Sequence, residues 1–119
     1  MLEIDMEFRK GILFVRLIGV LTKETVPVLN KEVTEIVKEY GIHNVVFNLR
    51  ELKEIDTAGI QALLKYEQLS KKMSGETVIC GVVEPDLRRQ MKQQKVFQHL
   101  YETSDELTAF QTFQRFDIY

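Results

Sequence analysis

The chain has 119 residues, 45% of them hydrophobic and 29% charged, the composition of one ordinary globular domain, which excludes disorder and collagen-like repetition. Sixteen Lys and Arg against eighteen Asp and Glu leave a net charge of -2, so no global basic field draws the chain to a nucleic acid. The single Cys80 excludes an internal disulfide and an all-cysteine zinc site; with no signal-peptide pattern at Met1 to Lys10 and no apolar run approaching ~20 residues, a soluble cytoplasmic protein without a membrane partner is expected.

Leu2 to Phe8 alternates Leu2, Ile4, Met6 and Phe8 with Glu3, Asp5 and Glu7, the period-two pattern of a half-buried edge strand. Lys10-Gly11 turns the chain into the β-branched and aromatic run Ile12 to Ile18, so the two strands form a hairpin. Thr22 is placed to cap a helix whose apolar residues Val26, Leu29, Val33, Ile36, Val37 and Tyr40 recur every three or four positions, with Gly41 as its stop. Val45 to Leu49 reads as a short central strand covered on both faces. A second helix starts near Asp56 or Thr57, runs through Ile60, Leu63, Leu64 and Leu69, and stops at Ser74-Gly75. Thr77 to Val83 is another buried strand, and Pro85-Asp86 opens a short helix over Leu87 to Lys95. Val96 to Tyr101 is a brief strand or an apolar link. Thr103 or Ser104, followed by Asp105 and Glu106, begins a last helix carried by Leu107, Phe110 and Phe113.

The order β-β-α-β-α-β-α-(β)-α implies an α/β fold with a mixed sheet of four to five strands flanked by about four helices. The phosphate-loop, serine-hydrolase, zinc-protease and dinucleotide-binding signatures are all absent. His43 and His99 have no metal-ligand spacing and read as surface or capping residues, so neither a cofactor nor a metal is expected. Cys80 lies mid-strand, where a thiol behaves as a small buried hydrophobe. Arg88, Arg89, Lys92 and Lys95 read first as a solvated basic helix face, and second as a patch for phosphate or an acidic partner.

The segment Leu49 to Ile60 stands out as a loop between a central strand and a helix, where open α/β folds place their sites. Asp56 or Thr57 serves there as an N-cap, and small Ala58 and Gly59 let the first turn pack closely. The same position exposes a hydroxyl beside the positive end of the helix dipole, so a phosphate placed there changes the surface and leaves the fold intact.

Ile55-Asp56-Thr57-Ala58-Gly59-Ile60 resembles the D-S-[ST/A]-G-[LI] signature of the STAS-domain anti-sigma factor antagonists. Arg16 to Leu21, Val45 to Leu49 and Gly75 to Ile79 resemble the strands that frame that signature in the family. The resemblance implies one STAS domain over residues 1–110; residues 111–119 lack a clear period and read as an aromatic tail packed on the domain through Phe113 and Phe116. The resemblance also implies a bacterial, non-enzymatic partner switch in transcription regulation. The unphosphorylated antagonist binds an anti-sigma factor that is also a serine/threonine kinase and so frees a sigma factor. Phosphorylation blocks that binding and a phosphatase reverses it. Carried over by position, Thr57 is the phosphorylated residue, and Asp56, Thr57, Ala58, Gly59 and Thr22 belong to the partner-binding surface. The chain departs from the family in having Thr where the simple antagonists have Ser, which adds a methyl and stiffens χ1. It also has Thr22 where an acidic residue is frequent. The alternatives are a scaffold module assembling with other STAS proteins, and a nucleotide-sensing STAS domain.

Overall fold

Of the four to five strands expected, a computed structural model, which describes residues 1–116, shows five in one sheet. β1 (Leu2–Arg9) and β2 (Ile12–Leu21) form the expected antiparallel hairpin. β3 (Asn44–Ile55), β4 (Thr77–Cys80) and β5 (Tyr101–Thr103) follow in parallel, so the sheet runs β1-β2-β3-β4-β5. Because each parallel strand is added on the same side of the last, crossovers of one hand put every connecting helix on one face. That face holds α1 (Val26–Leu29), α2 (Glu35–Tyr40), α3 (Thr57–Lys72) and α4 (Pro85–Gln93), packed on Leu13, Val15, Leu17, Val45, Phe47, Leu49 and Ile79. The other face is covered by α5 (Glu106–Phe116), whose Ala109 and Phe113 close over Ile12, Phe14, Val46, Val78 and Cys80.

α1 and α2 are one continuous rod joined by a π-helical turn at Asn30–Thr34. Leu29, Val33 and Val37 are its buried residues, spaced by four. In a regular α-helix that spacing overshoots a full turn by about 40° per step, and the wider π turn absorbs the drift. Gly41 ends the rod in the left-handed region (φ 62°). Two sequence expectations are corrected here. Thr25, not Thr22, is the N-cap residue; its hydroxyl accepts from the Thr22 amide (2.8 Å) and donates to the Val20 carbonyl (3.0 Å), tying the turn to β2. Tyr40, the last residue of the rod before Gly41, points to solvent and is 71% exposed.

The strand expected over 45–49 extends to Ile55. Between Arg16 and Ile18, and again between Gly19 and Val20, β3 carries one more residue than β2. These two irregularities replace alternation with a spacing of three among the buried residues Leu49, Leu52 and Ile55, which is why the segment reads as a loop. At the first irregularity the Asn48 side chain accepts from the Arg50 amide at 2.9 Å. The bulged end of β3 stays beside β2 as far as Leu21 and delivers Asp56 to the start of α3.

The remaining corrections are smaller. Phe8 is 58% exposed and Leu107 66% exposed, so neither belongs to the core assigned to it. β4 stops at Cys80 because Gly81 turns the chain at φ 74°, and α4 begins at Pro85 and ends at Gln93. Val96–Gln98 is a 3-10 turn rather than strand, with β5 behind it. Asp105 starts α5, accepting from the Thr108 amide at 2.8 Å. α5 continues through residues 111–116, and the expectation for 117–119 lies outside the described residues.

Candidate functional site

Asp56 is the N-cap of α3, in extended conformation (φ -114°, ψ -176°). One carboxylate oxygen accepts from the Gly59 amide at 2.8 Å, and the other accepts from the Lys23 amide at 2.9 Å. A single side chain therefore caps α3 and clasps the turn that follows β2. Burial pushes the Asp56 carboxyl up, but the Gly59 and Lys23 amides outweigh it and hold the group below the usual aspartate range. At neutral pH the site thus carries a fixed negative charge.

Gly59 is buried in the first turn of α3. A Cβ added there would lie 2.2 Å from the Leu21 carbonyl oxygen and 2.9 Å from the Ile55 side chain. The glycine is required because α3 starts directly against the end of β2. Ala58 is half-buried beside it.

Thr57, the first residue of α3, is exposed. Its hydroxyl oxygen accepts from Gln94 Nε2 at 3.2 Å. A cleft of about 350 Å³ adjoins it, lined by Thr22, Lys53, Glu54 and Asp56 on one side and by Asp86, Leu87 and Gln90 of α4 on the other. Thr22 lies on this cleft with its hydroxyl turned to Glu24, 3.1 Å away. The structure therefore brings Thr22, Asp56, Thr57, Ala58 and Gly59 to one end of the sheet, at the carboxyl ends of β2 and β3.

Sequence reasoning missed α4 as a wall of this site. The available signal was the spacing of Asp86, Gln90 and Gln94 by four, which aligns them on one helix face. Of the basic residues on α4, two are occupied. Arg88 donates to the Val82 carbonyl (3.1 and 3.2 Å), pairs with Glu102 and lies 5.1 Å over the Phe97 ring; Arg89 pairs with Asp86 at 2.8 Å. Arg88 thereby joins α4 to the chain leaving β4 and to β5.

Other candidates fall elsewhere. His43 Nδ1 meets the Met73 carbonyl at the end of α3, and His99 is exposed. Cys80 is buried under α5, and burial pushes its thiol up to about 12, with Glu106 and Asp105 adding to the shift. Among the described residues no group of three or more His, Cys, Asp or Glu could hold a metal ion, and no helix is long and apolar enough to cross a membrane.

The site is an exposed hydroxyl at a capped helix start, on a mixed five-stranded sheet. Residues 3–108 match the STAS domain family, and the chain belongs to it. It is 30% identical over 84 residues to an anti-sigma F factor antagonist of Paenibacillus polymyxa, covering 71% of this chain and 72% of that one. Among solved structures it is similar to a putative anti-sigma factor antagonist of Thermotoga maritima, with a TM-score of 0.85, 10% identity and 92% of each chain covered. It is also similar to the anti-sigma factor antagonist SpoIIAA, solved in two forms. The unphosphorylated form aligns with a TM-score of 0.72 and 16% identity, covering 95% of this chain and 98% of that one. The phosphorylated form gives 0.70 and 14%, covering 92% and 99%. The chain is an STAS-domain protein of the anti-sigma factor antagonist kind.

Proposed function

We propose that this chain is a non-enzymatic switch operated at Thr57. With Thr57 bare, the surface around the start of α3 docks on an anti-sigma factor that is also a serine/threonine kinase, and the sigma factor is released. Phosphorylation of Thr57 opposes docking, and a phosphatase restores it. The observation that carries this reading is the exposed Thr57 hydroxyl at the first position of α3, outside the core and next to the ionised Asp56. A phosphate of about -2 there adds to the single negative charge of Asp56, so docking must desolvate and approach a far more anionic patch. The free amide ends of α3 tolerate that charge, so the fold survives while the surface changes. The relative from Paenibacillus polymyxa is named for antagonism of an anti-sigma factor, and SpoIIAA is a structural neighbour known in both phosphorylation states.

The test is Thr57→Glu beside Thr57→Ala, titrated calorimetrically against the kinase recovered with the wild-type protein from lysate in the presence of ADP. Thr57→Glu is expected to lose about tenfold or more in affinity, a difference of about 1.4 kcal/mol, with an unchanged circular dichroism spectrum. Thr57→Ala is expected to bind and to resist phosphorylation. Equal affinity of Thr57→Glu and wild type would falsify the switch.

A further inference from the structure

The Thr57 hydroxyl, although exposed, is not left to solvent alone: Gln94 Nε2 reaches it across 37 positions of sequence at 3.2 Å. The backbone holds Gln94 in place. It is the C-cap of α4, its amide donates to the Gln90 carbonyl at 3.1 Å, and the next residue, Lys95, turns the chain in the left-handed region at φ 61°. α4 itself is anchored by buried Leu87 and Met91 and by Arg88. Along α4, Asp86 and Gln90 line the cleft, and Gln94, four positions further on, continues their row to the hydroxyl.

We propose that Gln94 is the positioning residue of the switch: its side-chain amide holds the Thr57 hydroxyl before modification and donates to the phosphate afterwards. The inference rests on Thr57 being the modified residue. In the transfer, Thr57 Oγ1 takes the γ-phosphoryl group of ATP, the bond to the departing ADP breaks, and the hydroxyl proton leaves to a base of the kinase. Since Gln94 donates to Oγ1 in the bare state, it leaves that proton unengaged and limits the rotation of a side chain already stiffened by its methyl. Once the phosphate is present, the same N–H faces an anion and the contact becomes charge-assisted. A neutral amide neither cancels the phosphate charge nor competes with it, so the anionic patch persists while its direction is set. Phosphorylation thereby also ties the end of α4 to the start of α3 more firmly.

The experiment needs no kinase. Phosphothreonine is installed at position 57 by semisynthesis in the wild-type, Gln94→Leu and Gln94→Glu backgrounds, and the phosphate is titrated by phosphorus NMR. The charged groups that line the adjoining cleft, Lys53, Glu54, Asp56 and Asp86, and the neighbouring Lys95, are common to all three proteins, so the differences report position 94. A donor to the dianion lowers its second pKa. Gln94→Leu is therefore expected to titrate roughly 0.3 unit above wild type, the size of one exposed hydrogen bond to a charge, and Gln94→Glu higher again. In the wild-type background the Gln94 side-chain amide proton should move downfield as the phosphate loses its last proton near pH ~6. Coincident titrations with a static Gln94 amide overturn the proposal. Failure of Thr57→Glu to weaken partner binding would instead defeat the switch itself, and neither result dictates the other.

Discussion

At the scale of single residues the site is built by two constraints that act together. Asp56 ties the first turn of α3 to the Lys23 amide, and Gly59 lets that turn touch the Leu21 carbonyl. Gly59→Ala sets a favourable helix propensity of about 1 kcal/mol against a contact of 2.2 Å with backbone that cannot move without shifting β2. The contact wins: the variant is expected to lose about 1–3 kcal/mol, read as a lower urea midpoint, with α3 displaced from the sheet. A midpoint at or above wild type would show that the close approach is dispensable. Asp56 and Gly59 were legible in the sequence because a cap and a small residue three positions apart are local chemistry. Gln94 was not, since nothing near it in sequence says which side chain it will meet.

At the scale of elements, α5 stands apart from the other helices. Among the described residues it alone covers the second face of the sheet, and it is fastened to β2 by a polar clasp. Arg16 donates to both carboxylate oxygens of Glu106 at 2.8 Å, and Asn48 donates to the same group at 2.7 Å. Asp5 and Glu7 of β1 complete the shell of Arg16, each at 2.9 Å. Removing Glu106 or Arg16 breaks the part-buried link between α5 and β2 while leaving Arg16 its Asp5 and Glu7 contacts or Glu106 its Asn48 contact, a loss of about 1 kcal/mol. Cys80, beneath α5, reports on this. Glu106→Gln and Arg16→Met are both expected to speed its reaction with a disulfide reagent about fivefold or more, since 1 kcal/mol of easier opening is a factor of about 5. The pair separates opening from charge. Glu106 raises the thiol and Arg16 lowers it, so a purely electrostatic effect would accelerate one variant and slow the other. The helix was visible in the sequence, but its exposed Leu107 was assigned to the core, because the first turn of α5 meets the sheet through Glu106.

At the scale of the whole molecule, carboxylates at two helix starts and in the clasp share one direction. Arg16 holds Glu106 below the usual glutamate range, the Thr108 amide does the same for Asp105, and the Gly59 and Lys23 amides do so for Asp56 against the effect of burial. A carboxylate whose folded value is depressed contributes stability that is fully present above its unfolded value and is lost as pH falls through the folded one. The urea midpoint is therefore expected to hold between pH 7 and 5 and to fall below about pH 4, where unfolded carboxylates begin to bind protons. A midpoint flat down to pH 2 would mean that these groups are equally stabilised in the unfolded chain. The sequence by itself determined the element order, the hairpin, the central position of β3, and a cap and a hydroxyl at the start of α3, because each rests on patterning or turn chemistry within a few residues. Tertiary structure decided the rest. The two irregularities turned an expected loop into strand because β2 supplied its hydrogen-bonding partner. The sequential strand order left one face to α5 and brought α4 beside Thr57. Those outcomes depend on which distant segments pair, and local patterning holds no record of that.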